Sequence, residues 1–195
     1  GFDATLWDGL LGMEVDGFYN YTYDILTGQG SGFPASMGGY YPTYINYPAI
    51  DAKGVDLMVT HKNQFSLGGK PFFYGVSASL TYSKTRWIKY KDNPEVSDNR
   101  KIVGKTYGSI TGWKTDGLFR SEEEIDNSAW WGSRPNVGDI KFVDINGDGK
   151  IDYDDWGYFG RSNRPELTFG LNLNFEWNGF DFHAQFTGGA LFDVS

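Results

Sequence analysis

Residues 144 to 155 read DINGDGKIDYDD. Oxygen-bearing side chains fall at alternate positions, and a Gly-Asp-Gly turn sits in the middle. A calcium loop places oxygen ligands at positions 1, 3, 5, 7, 9 and 12, with glycine at position 6. Here those positions are Asp144, Asn146, Asp148, the Lys150 carbonyl, Asp152 and Asp155, with Gly149 at the turn and Ile151 as the apolar anchor. A hard dication needs such a set of hard oxygens. Without it, Asp144, Asp148, Asp152, Asp154 and Asp155 repel one another against the single charge of Lys150. The expected ion is Ca2+, held as a structural cofactor. Asp155 stands where the template has a glutamate, so its reach is one bond shorter. The alternative is an acidic turn with no ion. A helix–loop–helix hand is not expected, because the preceding GDIKFV reads as a strand, and no second loop of this kind follows.

Other chemistry is sparse. Trp130 and Trp131 are adjacent, and such a pair either stacks on a ligand or fills a small satellite core; the core reading is the commoner one. His61 and His183 are the only histidines, and neither lies beside a nucleophile pattern. Carboxylates are too plentiful for any pair to signal glycosidase chemistry, which depends on a set separation. No catalytic residue is assigned, and the chain is not expected to be an enzyme. A net charge of −8 argues against nucleic acid, whose phosphates need clustered Lys and Arg. With no cysteine, neither disulfides nor thiolate metal sites are available.

What must position these residues is β-structure. Aromatics make up 18% of the chain and glycines number 27, a mixture that favours strands and turns over helices. The dominant pattern has period two. In LLGMEVDGFYNYTYDIL, Leu11, Met13, Val15, Tyr19, Tyr21, Tyr23 and Ile25 share one face of a single long strand, and Glu14, Asp16, Asn20, Thr22 and Asp24 share the other. PFFYGVSASLTYSK and ELTFGLNLNFEW repeat the alternation, and FDFHAQF returns it after Asn178-Gly179, the strongest two-residue hairpin signal. KGVDLMVTHKNQF is a weaker strand, with Val55, Leu57 and Val59 on one face. His183 alternates onto a polar face.

Connections alternate in length. Trp7-Asp8-Gly9, Gly68-Gly69 and Asn178-Gly179 are tight, whereas 27 to 51 and 89 to 165 are long. Short turns at one end and long loops at the other are the mark of an outer-membrane β-barrel, and aromatics beside the tight turns (Trp7, Phe65, Phe72, Trp177, Phe180) suit its interfacial girdle. The strands reach about 14 to 17 residues, against ~5–6 in ordinary soluble sheets. The expected fold class is therefore all-β: long antiparallel strands forming part of a transmembrane β-barrel with long extracellular loops. The competing reading is a soluble, calcium-dependent carbohydrate-binding β-sandwich. Within 89–165, SEEEID opens with Ser121 and Glu124 in capping-box spacing, so a short helix is predicted there. The chain has no run of 18 apolar residues and hence no transmembrane helix. It begins at Gly1 and stops within the alternating FTGGALFDVS, which suggests a piece of a longer protein.

Residues 138–189, from GDIKFVDINGDGKID through PELTFGLNLNFEWNGFDF, resemble the C-terminal part of the SusC/RagA family of TonB-linked outer-membrane proteins of Bacteroidetes. GFDATLWDG, GFYNYTYDILTG, AKGVDLMV and ITGWKTDGLFRSEEEI resemble upstream strands and loops of the same family, in the same order. Ala52 and Asp56 stand where that family has Asn and Glu. The resemblance covers nearly all of 1–195 and implies a barrel piece of five or six strands, without the plug, located in the outer membrane and surrounded by its lipid. It further implies energised import of large nutrients, oligosaccharide or peptide cargo, with a SusD-like surface lipoprotein as lid and TonB acting through the plug. Region 89–165 would then be an extracellular loop, and the 144–155 site a clip within it.

Overall fold

The chain is seen in a computed structural model that describes residues 1–28, 36, 38 and 44–194. The middle of the predicted 27–51 loop (29–35, 37 and 39–43) lies outside the described residues. The chain divides into two units.

The first unit comprises Gly1–Tyr21, Asp51–Thr85 and Arg164–Phe192. Its strands belong to one antiparallel six-stranded sheet built from β1 (Phe2–Leu6), β2 (Leu11–Thr22), β5 (Ala49–Leu67), β6 (Lys70–Lys89), β11 (Leu167–Trp177) and β12 (Phe180–Ala190), in the order β1-β2-β5-β6-β11-β12. The tight turns suit their sequences. Gly68 and Gly69 have φ of 60° and 78°, and Asn178 and Gly179 have 50° and 84°, the double left-handed geometry that two-residue hairpins require. The supposedly weak strand at 53–65 is part of β5, one of the two longest, at 19 residues.

Register carries the period-two pattern across the sheet. Leu171 pairs with Ala78 and Phe186, Leu173 with Val76 and Ala184, and Phe175 with Tyr74 and Phe182. The intervening row is polar: Thr168 opposes Thr81, Asn172 opposes Ser77 and Gln185, and Asn174 opposes His183. At the far edge Phe2, Ala4 and Leu6 align with Val15, Met13 and Leu11. A one-residue slip anywhere would mix the two rows. Gly188 lies opposite Phe169, whose ring covers the position a Cβ would take, so a larger residue there would displace the ring. Toward the tight turns the rings of Phe65, Phe72, Phe175 and Phe182 follow one another at centroid spacings of 5.0, 6.3 and 5.8 Å.

The apolar row is not a core. Among the described residues the buried apolar side chains are Ala49, Phe119, Ile125 and Ile151, none of which belongs to this unit. Phe169, Phe182 and Phe186 are 47%, 56% and 55% exposed. A soluble sandwich would cover this face with a second layer; no described residue does so.

The second unit comprises Thr22–Ile50, Arg86–Asn163 and Asp193–Ser195. It corrects the first long strand. β2 ends at Thr22, Asp24 adopts φ 53°, and β3 (Leu26–Gly28) turns away to pair with β4 (Tyr44–Asn46). The alternation through Tyr23 and Ile25 thus continues past the real strand end. The long excursion is ordered by local pairs: β7 (Ser109–Trp113) with β10 (Trp156–Ser162), and β8 (Thr115–Leu118) with β9 (Ile140–Phe142). The predicted helix is α1, Glu122–Asp126. Ser121 Oγ accepts from the Glu124 amide at 3.2 Å, as a capping residue should, while the Glu124 carboxylate accepts from the Arg120 amide at 2.8 Å rather than from Ser121. Ile125 on this helix and Phe119 beside it are 0% and 2% exposed, the centre of a small separate core.

Candidate functional site

The Asp-rich loop lies in the second unit, between β9 and β10, and it is built by its own carboxylates. Asp144 accepts from the amides of Gly147 (2.7 Å) and Gly149 (2.8 Å). Asn146 Oδ1 accepts from the Asp148 amide, Asp148 from that of Lys150, and Asp152 from that of Asp154, at 3.0, 2.9 and 2.8 Å. Each is a short side chain closing a turn over its own backbone. Gly147 and Gly149 have φ of 74° and 84°, which only glycine adopts freely.

Asp155 differs from its neighbours. Its side chain is fully buried; Oδ1 accepts from the amides of Ile145 (2.7 Å) and Asn146 (3.4 Å), and Oδ2 from that of Asp152 (3.0 Å). One carboxylate thus ties the two ends of the loop together. Among the described residues, no three acidic or histidine side chains converge as a metal-binding group. The donors named from sequence are therefore present on one loop, all of them oxygens, with their carboxylates turned toward backbone amides. A carboxylate has about four acceptor sites, so one or two amide bonds leave others open.

The loop is anchored from outside at its C-terminal end. Ser97 Oγ and Asn99 Nδ2 donate to the Asp154 carbonyl at 3.2 and 2.9 Å, and Asn99 also reaches the Trp156 carbonyl at 2.8 Å. Gly157 lies so close to the Asn99 backbone that a Cβ there would collide with it.

The two adjacent tryptophans part company. Trp131 sits edge-on against Trp113 at 4.9 Å and against Tyr153 at 5.9 Å, and Trp113 also contacts Phe142 at 6.3 Å. Trp113, Trp131, Phe142 and Ile151 line a partly open cavity of about 220 Å3. Trp130 instead lines a neighbouring cleft of about 400 Å3 with Ser128, Lys150 and Asp152, and Ile151 borders both hollows. Trp113 Nε1 donates to the Asp152 carbonyl at 2.9 Å, joining the aromatic group to the acidic loop. Sequence reasoning named Trp130 and Trp131 but missed Trp113 and Phe142. These come from β7 and β9, and only tertiary pairing brings them here.

Ion pairs brace the helix beside it. Arg134 contacts Glu122 and Asp126 at 2.8 and 2.6 Å, and Lys141 contacts Glu124 at 2.9 Å. The Lys141 ammonium, helped by the Arg120 amide, holds the Glu124 carboxyl below its ordinary range. The two carboxylates raise the Arg134 guanidinium further.

No family model matches the chain. Among curated proteins it is 29% identical to TonB-dependent receptor P26 of Formosa agariphila and 21% identical to TonB-dependent receptor P3 of the same organism, each match covering 95% of this chain. Among solved structures, the RagAB peptide importer in its closed-closed state matches 97% of the chain with a TM-score of 0.63 at 18% identity. The chain is similar in sequence to TonB-dependent receptors over nearly its whole length. A second structure, of the RagAB peptide transporter, matches 95% with a TM-score of 0.61 at 19% identity. At these identities the structural matches establish the fold alone: the chain with its long antiparallel sheet is folded like the matched part of the RagAB structures. The chain spans about a fifth of the length of the curated relatives it matches, 19% in each case. Those relatives are described as receptors, and the structural neighbours as an importer or transporter.

Proposed function

We propose that this chain is part of the barrel of a TonB-dependent outer-membrane transporter that takes up large nutrients together with a SusD-like surface lipoprotein. The observation that carries this reading is the in-register apolar row running across β6, β11 and β12 with no described residue covering it. Lipid is the covering that suits such a face, and the polar row opposite suits a watery lumen. The aromatic rings near the tight turns fit an interfacial girdle. Topology adds support, since short turns lie at one end of the sheet and both long connections at the other. TonB would act through a plug, and the cargo would be oligosaccharide or peptide. The description of the structural neighbours as a peptide importer favours peptide.

The experiment is fractionation of the intact receptor. It should appear in the outer membrane, require detergent for extraction, and show the heat-dependent electrophoretic mobility of a barrel. Recovery as a soluble monomer without detergent would defeat the reading and favour a soluble β-sandwich module.

Within that reading the 144–155 loop is an extracellular calcium clip, with Asp144, Asn146, Asp148, the Lys150 carbonyl and Asp155 as ligands and Asp152 direct or through water. The all-oxygen donor set supports it, as does the concentration of negative charge on a short loop. Calcium should raise the melting temperature of the loop region and a chelator should lower it. Equal stability and equal hydrogen exchange at 144–155 with and without calcium would rule the clip out.

A further inference from the structure

The aromatic cavity and the cleft beside it differ in chemistry. The cavity walls are Trp113, Trp131, Phe142 and Ile151. Phe142 and Ile151 offer no polar side-chain atom, and the Trp113 N–H is already given to the Asp152 carbonyl. A sugar hydroxyl entering there would lose its water with little in exchange, an unfavourable transfer. The space suits carbon. Apolar cavities of ~150 Å3 stay dry and accept a benzene ring, and this one measures about 220 Å3, room for one leucine- or phenylalanine-sized side chain. Trp131 is 45% exposed and Tyr153 63% exposed, so the aromatic group opens to solvent on their side. The cleft across Ile151 is polar, with Ser128, Lys150 and Asp152 around Trp130. Its charged side chains are one acid and one base, Asp152 and Lys150, so together with Ser128 it can meet both the N–H and the C=O of a peptide backbone.

We propose that the two hollows form a peptide subsite. The cavity takes one apolar side chain. The cleft takes the adjoining peptide backbone. The subsite rests on the transporter reading for its assignment as a cargo contact, and it narrows the cargo to apolar-anchored peptide rather than glycan.

The test uses the intact receptor in detergent, titrated calorimetrically with Leu-Gly-Gly, N-acetyl-Leu-Gly-Gly, Gly-Gly-Gly and maltotriose. Leu-Gly-Gly should bind at least about tenfold more tightly than Gly-Gly-Gly, the gain expected for burying one leucine side chain. N-acetyl-Leu-Gly-Gly should bind as tightly as Leu-Gly-Gly, and maltotriose should not compete. Trp131→Ala should remove the leucine preference. Because Trp131 is partly exposed and lies outside the Phe119–Ile125 core, this variant should keep native mobility and yield; Trp131→Leu, which keeps the pocket apolar, should retain part of the preference. Equal affinity for the leucine and glycine peptides overturns the proposal, as does an unaltered preference in Trp131→Ala. Tighter binding of maltotriose, or occupation of the site only by a lipoprotein partner, overturns it too. These failures, in a receptor that still assembles in the outer membrane, leave the transporter reading standing; failure to reach the membrane defeats that reading instead.

Discussion

The sheet and the long excursion put their apolar residues in opposite places. In the sheet, Phe169, Phe182 and Phe186 form an ordered row and remain about half exposed. In the excursion, Phe119, Ile125 and Ile151 are almost wholly buried, although that segment has only short strands, one turn of α-helix and one 3-10 turn. Regularity and burial are thus separated. The sheet is held by backbone pairing along strands of up to 20 residues, while its apolar side chains stay uncovered by described residues. The excursion is held by a small core, a buried carboxylate and ion pairs, as an aqueous module is. The difference is what the proposed barrel reading requires, one region for lipid and one for water.

The largest effect should come from breaking the excursion's core. Phe119→Ala should destabilise that unit by about 3–5 kcal/mol. It should expose 89–165 to protease while the heat-modifiable mobility of the barrel persists; loss of both together would mean that the two regions share one core. A smaller effect, about 2–4 kcal/mol, is expected for Leu173→Arg if its row faces the lipid midplane. Asn172→Arg, one residue away on the polar row, should cost far less. Unfolding in lipid vesicles reads the pair, and equal losses would break the assignment of faces.

Third comes the buried carboxylate. Asp155→Ala leaves the amides of Ile145, Asn146 and Asp152 without their acceptor. These hydrogen bonds are part-buried, so water meets some of the loss and the substitution should cost about 1–3 kcal/mol in all. Hydrogen exchange should quicken at those three amides and not in β11. The smallest effect is pH-dependent. The folded pKa of Glu124 is lowered, so its contribution is present above the unfolded value of 4.5 and is lost as pH falls through the folded one. Amide protection in α1 should decline in acid below that range, before any change in the sheet, and Glu124→Gln should abolish the decline.

The faces of the sheet were legible because a period of two assigns every side chain from local order alone. Leu171, Leu173 and Phe175 stand on the row that alternation predicts, and Asn178-Gly179 forms the expected hairpin. The end of β2 was not legible. Tyr23 and Ile25 continue the pattern, and only the left-handed backbone at Asp24 breaks the strand. Ser121 and Glu124 announced α1, since capping is a contact within four residues. The Trp113–Trp131 contact had no local signal, because it depends on where β7 and the segment after α1 meet. Asp155 shows the limit of a motif. Its spacing matched a ligand position, but spacing does not reveal that the carboxylate also receives three backbone amides from the loop it closes.

The central claim is that the apolar row faces lipid and the polar row faces water, and β11 tests it most directly. The chain has no cysteine, so single cysteines can be placed in turn at positions 167 to 177 of the receptor. In outer membranes, a water-soluble maleimide should label even-numbered positions such as Asn172 and Asn174. A lipid-confined quencher should reach probes at Leu171, Leu173 and Phe175. An alternation of period two in both readouts, in opposite phase, is the predicted result. Uniform labelling along the strand, or protection of the odd positions from both reagents as in a protein core, would contradict it.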